Sequence, residues 1–177
     1  MKCDRAFVIE ICNQNLLNMQ ISMFSILFTL ALSNATENSN QHFSYTLNTS
    51  ADSETIWSIW TDVPNWKSWD TGLQDAEIEE AFQLNAKGKI ISLEGRTSKF
   101  EVTAFEAGKT YTIRTKLPFG SLYVKRYLSE ESGQLSFTHE VWFTGFSKGL
   151  FGKLFGSKFK EILPGVLENV KKIAEQK

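Results

Sequence analysis

A chain of 177 residues, 42% of them hydrophobic and 22% charged, provides for one ordinary globular domain and an extension rather than several domains. A formal net charge of −1 supplies no global field toward nucleic acid or acidic lipid, and no nucleic-acid partner is expected. The 14 Phe and 5 Trp are many for this length. Such rings either fill a core or line an apolar pocket, and composition does not separate the two uses.

The first 35 residues differ from everything after them. Lys2 and Arg5 open the chain, an apolar run extends from Ile21 to Leu32, and Ser33 and Ala35 stand at the spacing a signal peptidase requires. This is the layout of a secretory signal peptide over 1–35, with cleavage before Thr36 and a mature domain over 36–177. The apolar run is shorter than the ~20 residues of a membrane span. Asp4 and Glu10 dilute the positive region, and Met19 offers a second start, so a retained N-terminal arm is the alternative. A secreted or periplasmic location goes with the first reading and a cytoplasmic one with the second. Cys3 and Cys12 both fall in this segment, which leaves the mature chain without a thiol or disulfide. Its imidazoles are His42 and His139 alone, so no metal site and no other cofactor are expected.

In the mature chain Phe43, Tyr45 and Leu47 alternate, which predicts a first strand. Asp52 or Ser53 then caps a helix whose Ile56, Ile59 and Trp60 share a face. Pro64 breaks it, and one more helical turn carries Trp66 and Trp69. Strand-like stretches recur near 73–80, 87–94, 98–106, 109–117, 122–129 and 134–144, separated by turn signals such as "AKGK", "EAGK" and "PFGS". Short connections between consecutive strands imply an antiparallel meander. From Ser147 the period changes to helical and continues to the end, with a kink expected at Pro164-Gly165. A curled sheet must cover its apolar concave face, and this long helix is the element large enough to do so. The expected class is α+β with a helix-grip arrangement.

Three segments carry a resemblance to a known family. "ADSETIWSIWTDVPNWKSWD" resembles the opening of the START/Bet v 1-like (SRPBCC) superfamily, whose polyketide cyclase/dehydrase-like branch has A-x-x-x-x-V/I-W followed by D-x-x-x-W-x-x-W. "RYLSEESGQLSFTHEVWFTG" is similar to that branch's final hairpin, and "LPGVLENVKKIAE" to its closing helix. The G-x-G-x-x-G loop of the plant pathogenesis-related branch is absent. The resemblance spans Phe43 to Glu175. It implies a deep apolar cavity between sheet and C-terminal helix, and a lipid, sterol, polyketide or hormone as ligand. Fold alone does not give function.

Alternation turns three polar residues toward that interior. His139 lies on the face of Phe137, Val141 and Phe143; Arg126 lies on the face of Val124 and Leu128; Tyr111 lies on the face of Ile113 and Leu117. For His139 the readings are a hydrogen-bonded structural residue, a ligand-orienting group, or an acid/base catalyst. Arg126 is the larger anomaly, since a buried guanidinium without an anion is costly. It either pairs internally with Glu94 or Glu140, reaches the cavity rim, or binds a ligand carboxylate or phosphate. Tyr111 reads mainly as core. Trp66 and Trp69 read as covering one end of the barrel, with ligand contact second, and Phe137 would flank a ligand beside His139. No nucleophile elbow is present, and Glu140 faces away from its neighbour His139.

Glycines, lysines and Phe151, Phe155 and Phe159 mix in "FSKGLFGKLFGSKFK". Small residues there permit close helix packing, or they loosen a lid that contacts membranes through 147–160. The functional expectation is binding of an apolar or amphipathic small molecule. The alternatives are a cyclase, dehydratase or isomerase using His139, and a lipid shuttle. No specific protein partner is inferred.

Overall fold

The computed structural model describes residues 39–176. The signal-like segment, its cleavage point and both cysteines lie outside the described residues. Strand β1 (His42–Thr49) leads to helix α1 (Ser53–Thr61) and a 3-10 turn (Val63–Ser68). There follow β2 (Leu73–Ile78), β3 (Lys87–Ser92), β4 (Thr97–Glu106), β5 (Thr110–Leu117), β6 (Gly120–Glu131) and β7 (Gln134–Gly145). Helix α2 (Lys148–Phe151), a π turn (Gly152–Gly156) and helix α3 (Ser157–Ala174) close the domain.

The strands form one antiparallel sheet in the order β1-β7-β6-β5-β4-β3-β2. β1 returns to pair with the last strand because its exit runs into helices, whereas β2 to β7 are joined by short turns. The curled sheet and the long C-terminal helix make the helix-grip fold. β2 ends at Ile78, short of the expected Glu80, while β6 starts two residues earlier than its apolar alternation and runs to Glu131.

Local chemistry explains the short helices. The Asp52 carboxylate accepts from the Thr55 amide at 2.7 Å, which caps α1. Ile56, Ile59 and Trp60 are its buried face. Pro64 sits in the first turn of the 3-10 segment, where a missing N–H costs nothing. Trp60, Trp66 and Trp69 thereby cover one end of the sheet's inner face, with Leu163, Val166, Leu167 and Val170 of α3 completing the core.

The C-terminal helix departs from expectation in where it is irregular. α3 runs as helix from Ser157 to Ala174 through Pro164, and the change of hydrogen-bond period falls at Gly152–Gly156 instead. Gly152 and Gly156 are buried against the chain entering β1. A Cβ at Gly156 would lie 1.9 Å from the Asn40 carbonyl oxygen, and one at Gly152 would lie 2.7 Å from Gln41 Cγ. These two glycines therefore allow close packing, against the lead-in to β1 rather than against the sheet.

Candidate functional site

Register brings the three inward polar residues into one line. Tyr111 of β5 pairs with Arg126 of β6, and Arg126 pairs with His139 of β7, so the side chains lie in one row on the same face of three adjacent strands. All three are buried. Alternation within each strand placed them inward; their alignment across strands is new information from the register.

Arg126 is held by rings and one hydroxyl. Its guanidinium carbon lies 4.9 Å from the Trp66 ring centroid, 4.8 Å from that of Trp69 and 5.5 Å from that of Tyr111. Its Nη1 donates to the Tyr111 hydroxyl, which donates to the Trp60 carbonyl at 3.2 Å. Trp66 Nε1 donates to the same carbonyl at 2.9 Å. Cation–π contacts return about 0.5–2 kcal/mol each, a fraction of the cost of desolvating a cation.

The expected internal ion pair is not formed. Glu140 faces the outer surface, where its carboxylate lies 2.6 Å from His42 Nε2, as its position next to inward His139 requires. Glu94 sits in the β3–β4 turn, 3.5 Å from Lys158. Among the described residues no carboxylate lies within 4 Å of Arg126. Its charge is felt by Asp70, which accepts the Gly72 amide at 3.0 Å. Burial there outweighs both the amide and Arg126, so the Asp70 carboxyl titrates above its ordinary value.

His139 packs against Trp60 and Trp69, with ring centroids 5.8 and 6.0 Å away. Its Nε2 has no hydrogen-bond partner among the described residues. Burial first, and Arg126 second, push its pKa well below the usual 6.5, so the ring is neutral at pH 7. Trp60 Nε1, Trp69 Nε1 and Arg126 Nε are likewise buried without partners. Four of the six unpartnered buried side-chain polar atoms among the described residues thus fall in this one cluster. Each calls for an oxygen from a ligand or from solvent.

Phe137 is fully buried at 6.1 Å from the Trp60 ring, so it walls this cluster. At this end rings fill the interior that the resemblance describes as a deep cavity. Toward the β5–β6 turn the same inner face is less covered. Val124, which register sets between buried Val141 and Ile113, Leu122, which it sets beside buried Phe143, and Leu117 at the end of β5 stay half-exposed. A recess of about 370 Å³ opens outside, between α1, the 3-10 turn and Ile173, and Trp69 is common to its wall and the Arg126 cluster. Trp60 and Asp70 complete the cluster but were not singled out in the sequence. Trp60 read as core, and Asp70 gave no signal beyond closing the "WKSWD" run. Among the described residues no three of His, Cys, Asp and Glu gather as metal ligands.

A curled antiparallel sheet gripping a long C-terminal helix is the START/Bet v 1-like arrangement. The chain belongs to the polyketide cyclase/dehydrase and lipid transport family, whose model matches residues 40–175. Solved structures agree on the fold. Protein MLL2253 of Mesorhizobium loti is 16% identical over 77% of this chain and 98% of its own, with a TM-score of 0.62. Ara h 8.0201 is 13% identical over 77% and 99%, with a TM-score of 0.60. The di-domain ARO/CYC StfQ of the steffimycin biosynthetic pathway is 12% identical over 92% of this chain and 60% of its own, with a TM-score of 0.62. No curated protein matches the sequence.

Proposed function

We propose that the domain binds an amphipathic small molecule whose oxygen-bearing, anionic head meets Arg126 and whose apolar body lies on the inner face at Val124, Leu122 and Leu117. The observation that carries this reading is Arg126 itself, a buried cation with ring neighbours, one hydroxyl acceptor and no carboxylate within 4 Å among the described residues. A ligand carboxylate or phosphate would supply the missing anion, and its oxygens would accept from Arg126 Nε and the indole N–H groups of Trp60 and Trp69. Family membership supports the ligand class, since its members include cyclases, dehydrases and lipid carriers. Native mass spectrometry of the protein purified from its own host tests the reading. A bound organic mass that is absent from Arg126→Gln supports it, and the polypeptide mass alone in both counts against it.

One observation favours a second reading, in which a reaction takes place at the same site. A neutral imidazole with a free Nε2 is competent as a general base toward a ligand held by Arg126. His139→Asn would then remove about 10²–10⁴ of turnover while ligand affinity barely moves. Export belongs to the same proposal, on the layout of residues 1–35, and N-terminal sequencing of exported material starting at Thr36 is its test.

A further inference from the structure

Strand direction fixes which turns share an end of the sheet. The β3–β4 turn, the β5–β6 turn, the exit of β7 and the start of β1 all lie at one end, because every neighbouring pair is antiparallel. Seven large hydrophobic side chains are exposed among the described residues, and five of them belong to this end. Leu93 is 65% exposed in the β3–β4 turn, Phe119 85% in the β5–β6 turn and Phe146 102% after β7, while Leu150 and Leu154 in α2 and the π turn are 58% and 57% exposed. The Gly120–Gly145 pair sets Phe119 and Phe146 side by side in sequence register. Packing of Gly152 and Gly156 on Asn40 holds Leu150 and Leu154 at the same end.

Two further observations separate this from stray surface apolar residues. Phe119 adopts φ +58, a left-handed conformation unusual for a bulky residue, and does so while burying almost none of its ring. The charges at this end lean positive: Arg96, Lys116, Lys148, Lys153, Lys158 and Lys160 stand against Asp70, Glu94 and Glu161, and Glu94 is engaged by Lys158. Lys116, Lys148 and Lys153 have no carboxylate within 4 Å among the described residues. The opposite end carries Glu79, Glu80, Glu106, Glu130 and Glu131 at its strand ends and turns against Lys87 and Lys109, the latter paired with Glu106. A nearly neutral chain is thus polarised along the strands.

We infer that this end is a docking surface for an anionic lipid bilayer. Phe119, Phe146, Leu150 and Leu154 enter the interfacial layer, and Lys116, Lys148 and Lys153 meet the headgroups. Exposed rings and leucines beside unpaired lysines match that medium on both counts, as for amphipathic interfacial segments. Contact is peripheral in kind: no helix among the described residues is long and apolar enough to cross a membrane. The inference goes beyond ligand binding in the interior and uses none of its residues.

The test is flotation of the full chain with vesicles of phosphatidylcholine alone and of equimolar phosphatidylcholine and phosphatidylserine. The wild type should float with the anionic vesicles, less so at high salt. The combined variant Phe146→Ser, Leu150→Ser, Leu154→Ser should reduce the bound fraction about tenfold or more, corresponding to roughly 1.4 kcal/mol or more of lost transfer. Lys116→Gln, Lys148→Gln and Lys153→Gln together should lose binding by a similar factor and lose the salt dependence. Leu84→Ser, at the opposite end, should float like the wild type. To separate this surface from any effect of residues 1–38, the indole added in Phe146→Trp should be quenched by vesicles of brominated lipid. Absence of flotation, wild-type flotation by the serine variant, or an unquenched Phe146→Trp overturns the inference. So does a dimer in solution that the serine variant converts to monomer without any effect on vesicles.

Discussion

The two ends of the sheet are built from the same kinds of residue and put them to opposite uses. At the closed end Trp60 of α1, Trp66 of the 3-10 turn and Trp69 at its end are buried in the core, and the strand ends and turns there carry more Glu than Lys. At the open end Phe119 and Phe146 stand in solvent among lysines, and the covering helix is interrupted by a π turn over two buried glycines. Rings at the closed end hold a cation in place, whereas Phe119 and Phe146 at the open end contribute little to the fold. Stability and exposure are thus divided along the strands, with the half-exposed Val124, Leu122 and Leu117 between them.

Single substitutions should expose that division. Trp60→Ala removes a fully buried ring that touches Phe137, His139 and Tyr111, and should cost about 3–5 kcal/mol in chemical denaturation. Phe146→Ala should stay within about 0.5 kcal/mol of the wild type in the same assay. Equal losses at the two sites would erase the contrast.

Arg126→Met is the next largest. It replaces a desolvated cation lacking a carboxylate partner by an apolar side chain of similar reach, so stability should be unchanged or rise by up to about 2 kcal/mol. A clear loss in melting temperature would mean that the rings and Tyr111 already satisfy the guanidinium and that it needs no ligand.

His139 gives a pH signature. Its folded pKa is depressed, so below about 6.5 the unfolded chain takes up a proton that the folded chain refuses, and stability must fall as pH falls. The slope is about 1.4 kcal/mol per pH unit for one proton, beginning near the unfolded value. His139→Phe should flatten that limb between pH 6.5 and 5. Asp70 acts in the other sense at lower pH, because its raised pKa favours the folded, protonated form once pH drops toward its folded value. The smallest effect is at the open end. Phe119→Gly relieves a left-handed φ without losing packing and should raise stability by up to about 1 kcal/mol.

Period-two alternation made the strands legible, because one buried face leaves a pattern that any reader of the sequence can follow. The same rule turned Tyr111, Arg126 and His139 inward and Glu140 outward. It could not align the three in one row, since pairing register depends on turns and bulges such as the shift between Val102 and Ala104. Nor could it bring Trp66 and Trp69 together onto the guanidinium, which depends on how the 3-10 turn folds back over the sheet. Phe119 and Phe146 lie in turns, outside any periodic stretch, and their exposure was not readable from residue type. The glycines of the last helix were legible as close-packing residues, but their partner, Asn40, belongs to the far end of the chain.

The central claim is that Arg126 is a ligand anchor, and a crossed titration tests it most directly. A long-chain carboxylate and the alcohol of the same length would be titrated into the wild type and into Arg126→Gln, with folding checked for both proteins. The account predicts that the substitution weakens the carboxylate by about 1.5–3 kcal/mol, roughly ten- to a hundredfold, and leaves the alcohol unchanged. Equal weakening of both compounds, or no binding of either to a folded wild type, would contradict it.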